Sequence, residues 1–375
     1  MIYLDYSATT KTNEEVLSSF SMASRDYFAN PNSSHKLGVE AKQLIDASTK
    51  QIADILNVKP SEIIYTSGSS ESNNMALKMT AYTFKNRGKH IITTQFEHSS
   101  IYSPLSFLQK EGFEVDFVKT DENGVVDLND LKKIIRDDTI LVTIASVNSE
   151  IGIRQPIEEI AKIVKKHNKC LFHVDATQSI GKHNICLDNV DMVSLSAHKF
   201  YGIKGIGLLI KRESVNLEPL IHGGTSTTKF RSGTPACPLI VSLAKALRLA
   251  YVDLDKKYDY VKELNEYLVN KLSEFKNVRI NSNKYCIPHI LNISILNIKP
   301  ETFQHALEEF DIYISTQTAC SSKNVMSKGV FALTNDKDRA SSSVRISLSY
   351  LTTKEELDEF LKAFEKCYNR LSIKG

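Results

Sequence analysis

CLFHVD (residues 170–175) and DMVSLSAHK (191–199) decide how this sequence is read. Each is a short apolar run that closes on a reactive group, a carboxylate at Asp175 and an amine at Lys199. Further runs of the same kind are IIYT (63–66), HIITT (90–94), EVDFVK (114–119), TILVTIASV (139–147) and IGLLIK (206–211). Short apolar runs of this composition read as strands. Amphipathic stretches such as 71–86 and 156–167 lie between them, the latter opening on Pro156, a residue suited to the first turn of a helix. This alternation predicts an α/β fold with a mostly parallel seven-stranded sheet covered on both faces. A long helical stretch over 238–275 leads to two more strands, ILNISIL (290–296) and SVRISLS (343–349), and to helices over 302–310 and 354–371. The expected organisation is a large domain of residues 13–247 and a smaller α+β domain of residues 1–12 and 248–375. The polar stretch 320–343 lacks clean periodicity and reads as a mobile loop.

In open α/β sheets, ligands bind beyond the carboxyl ends of the strands. Several reactive groups fall there: Ser67-Gly68-Ser69-Ser70 after IIYT, Glu97-His98 after HIITT, Asn148-Ser149 after TILVTIASV, then Asp175, then Ser196 to Lys199. An acid and a lysine delivered by neighbouring strand ends suit a pyridoxal phosphate enzyme. The amine condenses with the cofactor aldehyde and the carboxylate keeps the pyridine nitrogen protonated. Small residues before a helix N-terminus, as at Ser67–Ser70, favour a phosphate, although the same turn also suits an ordinary strand–helix loop. It is not a Walker loop, because no Gly-Lys-Ser/Thr follows. Ser196, His198 and Thr234 could add donors to that phosphate. His98 reads either as a surface histidine or as a group that stacks on a flat cofactor and moves protons. Arg345, inside the apolar run SVRISLS, is either a substrate carboxylate's bidentate partner or an edge-strand residue facing water.

Bulk properties narrow the class. At 375 residues, 42% hydrophobic and 24% charged, the chain is ordinary for a globular protein larger than one typical domain. A net charge of +3 is too small to make nucleic acid or a membrane surface the main partner. No apolar stretch approaches a membrane span, and Met1 to Asp5 carries no leader-like pattern, so a cytoplasmic location is expected. The cysteines at 170, 186, 237, 286, 320 and 367 form no CxxC pair, which argues against a structural zinc site and a disulfide framework. Most read as buried small hydrophobes. Cys320, within TACSSK (318–323), has no apolar face to bury it.

With these residues assembled, the chain resembles the cysteine desulfurases of the class V aminotransferase group, pyridoxal phosphate enzymes of fold type I, closest to the branch serving iron–sulfur cluster assembly. The resemblance covers nearly the whole chain. It rests on YLDYSATT (3–10), NPNSSH (30–35), TSGSSESNN (66–74), EH (97–98), VNSEIG (147–152), HVDATQSIGK (173–182), SAHKFYGIKGIG (196–207), RSGT (231–234), ACSS (319–322) and RISL (345–348). It implies that Lys199 binds the cofactor covalently, Asp175 pairs with the pyridine nitrogen and Gln178 contacts the ring's phenolic oxygen. His98 would stack on the ring and act as acid and base, while Ser69, Ser70, Ser196 and His198 hold the phosphate. Thr234 would reach the phosphate of a partner subunit, which implies a homodimer. Arg345 would bind the carboxylate of L-cysteine, and Cys320 would take its sulfur as a persulfide, releasing L-alanine.

Some positions depart from the family pattern. Ser149 stands where a second asparagine is usual near the cofactor, so either its hydroxyl replaces that contact or the contact is missing. GGTSTT (223–228) replaces a more charged segment, and Ile203 replaces a proline. The sequence ends at Gly375, before the extension that relatives use to dock a cluster scaffold. That leaves open whether the sulfur acceptor is a cluster scaffold or a dedicated protein such as a tRNA-thiolating enzyme. Two other readings stay open: a different reaction on the same fold, such as that of a selenocysteine lyase or an aminotransferase, and a catalytically impaired sulfur-relay protein. Cys320 favours the desulfurase, since transamination needs no loop thiol.

Overall fold

The computed structural model describes residues 1–316 and 326–372. Its strands are β1 (Ile2–Tyr3), β2 (Ile63–Thr66), β3 (His90–Thr93), β4 (Glu114–Phe117), β5 (Thr139–Ala145), β6 (Leu171–Asp175), β7 (Met192–Ser196), β8 (Gly207–Lys211), β9 (Val278–Ile280), β10 (Ile290–Ile295), β11 (Ile312–Tyr313) and β12 (Ser343–Ser347). A seven-stranded sheet runs in the order β2-β8-β7-β6-β5-β3-β4. Within it β7, β6, β5, β3 and β4 pair in parallel, whereas β8 is antiparallel to both neighbours. The expected sheet is therefore present, with one reversed strand. A tight connection after β7, through the 3₁₀ turn Ala197–Lys199 and the positive-φ Gly205, sends the chain straight back as β8.

Helices cover both faces, as central parallel strands require. The helices Ser69–Phe84 and Ser99–Lys110 bury Met75, Leu77, Ile101 and Leu105 against Ile91, Leu141 and Leu209. On the other face Val16, Ile52, Ile160 and Leu247 pack on Val142, Phe172, Val174 and Leu208. Period-two alternation along β6 thus sends Phe172 and Val174 into this second core and His173 and Asp175 toward the helix Ser69–Phe84.

The antiparallel sheet β12-β10-β9 packs one face on helices Leu254–Leu272, Pro300–Glu308 and Lys354–Ser372. Val344 and Ile346 enter that core beside Phe303, Phe360 and Phe364. Burial of each such side chain is worth about 1.5–3 kcal/mol. Alternation again decides the site, because Arg345 falls on the opposite face. The N-terminal segment reaches the same place: β1 pairs with β11, and Asp5 bridges to Ser347.

The stretch 320–343 needs correction. Its residues from Met326 onward are regular, with helices Lys328–Thr334 and Lys337–Ser341. Ser327 accepts from the Val330 N–H and Asp336 from the Asp338 and Arg339 N–H groups, so both helices begin on N-caps too short-ranged to show as periodicity. Cys320 lies outside the described residues. Among the other cysteines, Cys170, Cys237 and Cys367 are buried as expected, Cys286 is half-buried and Cys186 is exposed. No described helix is long and apolar enough to cross a membrane.

Candidate active site

Every strand end singled out above opens on one cavity of about 170 Å³, lined among others by Ser69, Ser70, His98, Ser149, Asp175, Gln178, His198, Lys199 and Arg345. Lys199 sits in the turn after β7, and its Nζ donates to the carbonyls of Ser7 at 2.6 Å and Ala8 at 2.8 Å. Asp175, at the end of β6, accepts the Thr177 N–H on Oδ1 at 3.0 Å and Asn73 Nδ2 on Oδ2 at 2.8 Å. That leaves the carboxylate oriented and only 6% exposed. Arg345 is 2% exposed, which rejects the water-facing alternative. It donates to Asp5 Oδ1 at 2.8 Å and to the Ser149 carbonyl at 2.9 Å, while its buried Nε has no partner.

His98 caps the helix Ser99–Lys110, its Nδ1 accepting the Ser100 N–H at 3.1 Å. Burial lowers its pKa from the usual imidazole value, with Lys199 and Arg345 acting in the same direction. His198 is held at about 4 by burial and then by Lys199, and its Nδ1 lies 3.1 Å from Thr9 Oγ1. Gln178 donates to the Ser7 carbonyl at 3.0 Å and receives Lys182 Nζ on its oxygen. Lys182 is buried, and burial followed by Lys199 and Arg345 drives its pKa well below the usual lysine value.

The Ser67–Ser70 turn is built for a close approach. Gly68 has φ +153°, which side-chain-bearing residues rarely adopt, and a Cβ at Gly207 would sit 2.7 Å from the Gly68 Cα, so glycines let the turn lie against the start of β8. Glu71 accepts the Ser67 N–H at 2.6 Å and Arg231 Nε at 2.9 Å, tying the segment 231–234 to this turn. Thr234 is exposed and does not line the cavity of its own chain. Ser149 lines the cavity, whereas Asn148 turns away, bonded to the Phe96 carbonyl and to the N–H groups of Glu150 and Ile151.

The sequence reading assigned no role to several groups. Asp5 and Ser7 hold Arg345 and Lys199, and the signal was the quoted YLDYSATT, whose contacts lie hundreds of residues away in sequence. Glu97 is buried behind the cavity, its carboxyl accepting the Ala145 N–H and the Thr94 hydroxyl and pushed up to about 8 by burial. His173 is fully buried between Thr143 Oγ1 and Ser194 Oγ, each at 2.9 Å. Burial pulls its pKa from 6.5 to about 4. An unfolded histidine gains a proton below 6.5 where the folded one does not, so stability is complete above 6.5 and falls toward about 4. His173 alone should cost roughly 3 kcal/mol over that window. Urea midpoints across the window should fall less steeply for His173→Gln; identical slopes would remove this residue from the acid response.

The family model for class V aminotransferases matches residues 2–360. The cysteine desulfurase IscS of Dictyoglomus turgidum is 38% identical over 377 aligned residues, covering 99% of this chain and 95% of that protein. A solved NifS-like protein superposes with a TM-score of 0.92 at 38% identity, covering 99% of both chains. A structure of SspA in complex with cysteine gives a TM-score of 0.83 at 33% identity, covering 94% of this chain and all of that one. The chain belongs to the class V aminotransferase family, in its cysteine desulfurase branch.

Pyridoxal 5′-phosphate is the cofactor of this family, and the cavity fits it. Lys199 offers the amine and Asp175 an oriented carboxylate for the pyridine nitrogen. The helix N-terminus at Ser69 and Ser70, entered through Gly68 at φ +153°, is a phosphate cradle. Thr177 Oγ1 and Arg345 Nε are buried polar atoms without partners at the cavity. Lys199 and Arg345 both line the cavity, cations suited to a ligand carrying phosphate and carboxylate together.

Proposed function

We propose that this protein is a cysteine desulfurase that converts L-cysteine to L-alanine and carries the sulfur as a persulfide on Cys320. One observation carries the reading: Lys199, Asp175, His98 and Arg345, drawn from four separate segments, meet in a single cavity. When bound, pyridoxal phosphate supplies an aldehyde that captures amines and a ring that withdraws electrons from the carbon they carry. Lys199 would hold it covalently and, once released, move protons at its Nζ. Asp175 would keep the ring nitrogen protonated, Gln178 would face the phenolic oxygen and His98 would stack on the ring. Ser69, Ser70, Ser196 and His198 would bind the phosphate. Ser149 would stand beside the ring in place of the usual asparagine, and Arg345 would orient the substrate carboxylate.

Cys320 matches the family nucleophile through ACSS (319–322). The reaction balances without a further reagent: the C–S bond of L-cysteine breaks, an S–S bond to Cys320 forms and the carbon takes a proton. A thiolate is needed for that attack. Conversion of Cys320 to alanine should abolish alanine formation from L-cysteine while the protein stays yellow with bound cofactor. Alanine released at the unmodified rate would place the nucleophile elsewhere.

The working unit in this reading is a homodimer, with Thr234 serving the partner's phosphate. Its exposure supports that role, as do the exposed apolar Leu17, Met22, Phe28, Leu37 and Val39 on and between the first two helices. The persulfide would pass to an acceptor protein, either a cluster-assembly scaffold or a tRNA-thiolating enzyme, in the cytoplasm. The division into residues 13–247 and 1–12 with 248–375 belongs to the same proposal, supported by the separate core around Leu291, Ile346 and Phe364.

A further inference from the structure

A run of hydrogen bonds behind the cavity joins the two side chains assigned to opposite roles at the cofactor. Asn73, fully buried in the helix Ser69–Phe84, donates through Nδ2 to Asp175 Oδ2 at 2.8 Å and to Ser100 Oγ at 2.9 Å. Ser100 Oγ in turn lies 2.9 Å from His98 Nδ1. The directions of these bonds follow from chemistry. An ionised carboxylate only accepts, so the Asn73 amide must turn its NH₂ toward Asp175. Its second hydrogen then goes to Ser100 Oγ, which keeps its own proton to give to His98. The Ser100 backbone N–H, which can only donate, points at the same Nδ1 from 3.1 Å.

Nδ1 of His98 therefore faces two donors, and a proton placed there would oppose both. Asn73 Oδ1 is left buried without a partner, a cost that a space-filling apolar residue would avoid. We propose that this arrangement fixes His98 with its proton on Nε2, the nitrogen left for the cavity, and that Asn73 is the positioning residue tying that form to the orientation of Asp175. His98 then meets the cofactor and substrate as a hydrogen-bond donor. It is not a resting base at Nε2, and proton removal falls to Lys199. Burial, with the charges of Lys199 and Arg345, lowers the ring's pKa against the opposing pull of Asp175 and Glu150. The inference rests on the cofactor placement proposed above.

The test is NMR of the imidazole nitrogens in full-length protein labelled on histidine, with and without cofactor, the His98 signal being assigned by its loss in His98→Gln. The expected result is the Nε2–H form alone in the unaltered protein. In Asn73→Ala, which frees the Ser100 hydroxyl to accept, an Nδ1–H population should appear. Its kcat should fall on the order of 100-fold, the cost of about 1 Å of misplacement, with KM for L-cysteine moving less. Should Asn73→Ala fail to fold, the near-isosteric Asn73→Leu removes the amide, leaves the Ser100 hydroxyl in place and carries the same test. An Nδ1–H form in the unaltered protein, or an Asn73→Ala variant with unchanged spectrum and kcat, overturns the proposal. Without cofactor the spectrum reports the tautomer alone, so failure of the cofactor placement, read by covalent labelling of Lys199, stays distinguishable.

Discussion

Lys199→Ala is expected to lower kcat for L-cysteine by roughly 10⁴–10⁶-fold, the range seen when a covalent catalytic group is deleted. The effect is large because nothing else in the described cavity offers an equivalent amine. Lys182 is nearby but buried and engaged by Gln178, and Arg345 cannot act as a nucleophile at any accessible pH. The variant should still fold. Lys199 follows β7 in a 3₁₀ turn held by the backbone bonds from Phe200 and Gly202 to Ala197, neither of which uses the lysine side chain. It should also bind pyridoxal phosphate reversibly through Asp175 and the Ser69–Ser70 cradle. A variant retaining a tenth of normal turnover would contradict the covalent role.

Arg345→Ala should be the second largest loss, on the order of 10²–10³-fold in kcat/KM for L-cysteine, the worth of a desolvated carboxylate pair. Three features concentrate this effect. The guanidinium is almost fully buried, its Nε is unpartnered, and its other nitrogens are fixed by Asp5 and the Ser149 carbonyl. Arg345→Lys should recover little, because an ammonium cannot reproduce the planar fork. Cysteamine, which lacks the carboxylate, separates the roles: it should react equally poorly with the unaltered protein and with Arg345→Ala. If the variant lost activity toward cysteamine as steeply as toward L-cysteine, Arg345 would act through structure instead. Some stability should also go, because Asp5 loses its partner; partial exposure of Asp5 keeps this below the 3–5 kcal/mol of a fully buried pair.

The residues legible from sequence share one property: each sits where a strand ends or where alternation points. Asp175 and Lys199 close apolar runs, and Arg345 interrupts one, so their places follow from local pattern. The supporting residues are of another kind. Asn73 reaches Asp175 from within a helix, and Asp5 reaches Arg345 across almost the whole chain. Such pairs are set by packing, and a single sequence carries no signal for them beyond the polar residue itself. The reversal of β8 was hidden for a related reason, since an apolar strand reads the same in either direction. The helices after Met326 were missed because their caps, Ser327 and Asp336, act over a single turn.

The most direct measurement is reduction of the yellow holoprotein with borohydride, followed by peptide mapping. The account predicts that the pyridoxyl group is recovered on the peptide containing Ser196-Ala197-His198-Lys199, at Lys199 alone. Recovery of the label on Lys182 or another lysine, or a holoprotein whose Lys199 stays unmodified, would contradict it.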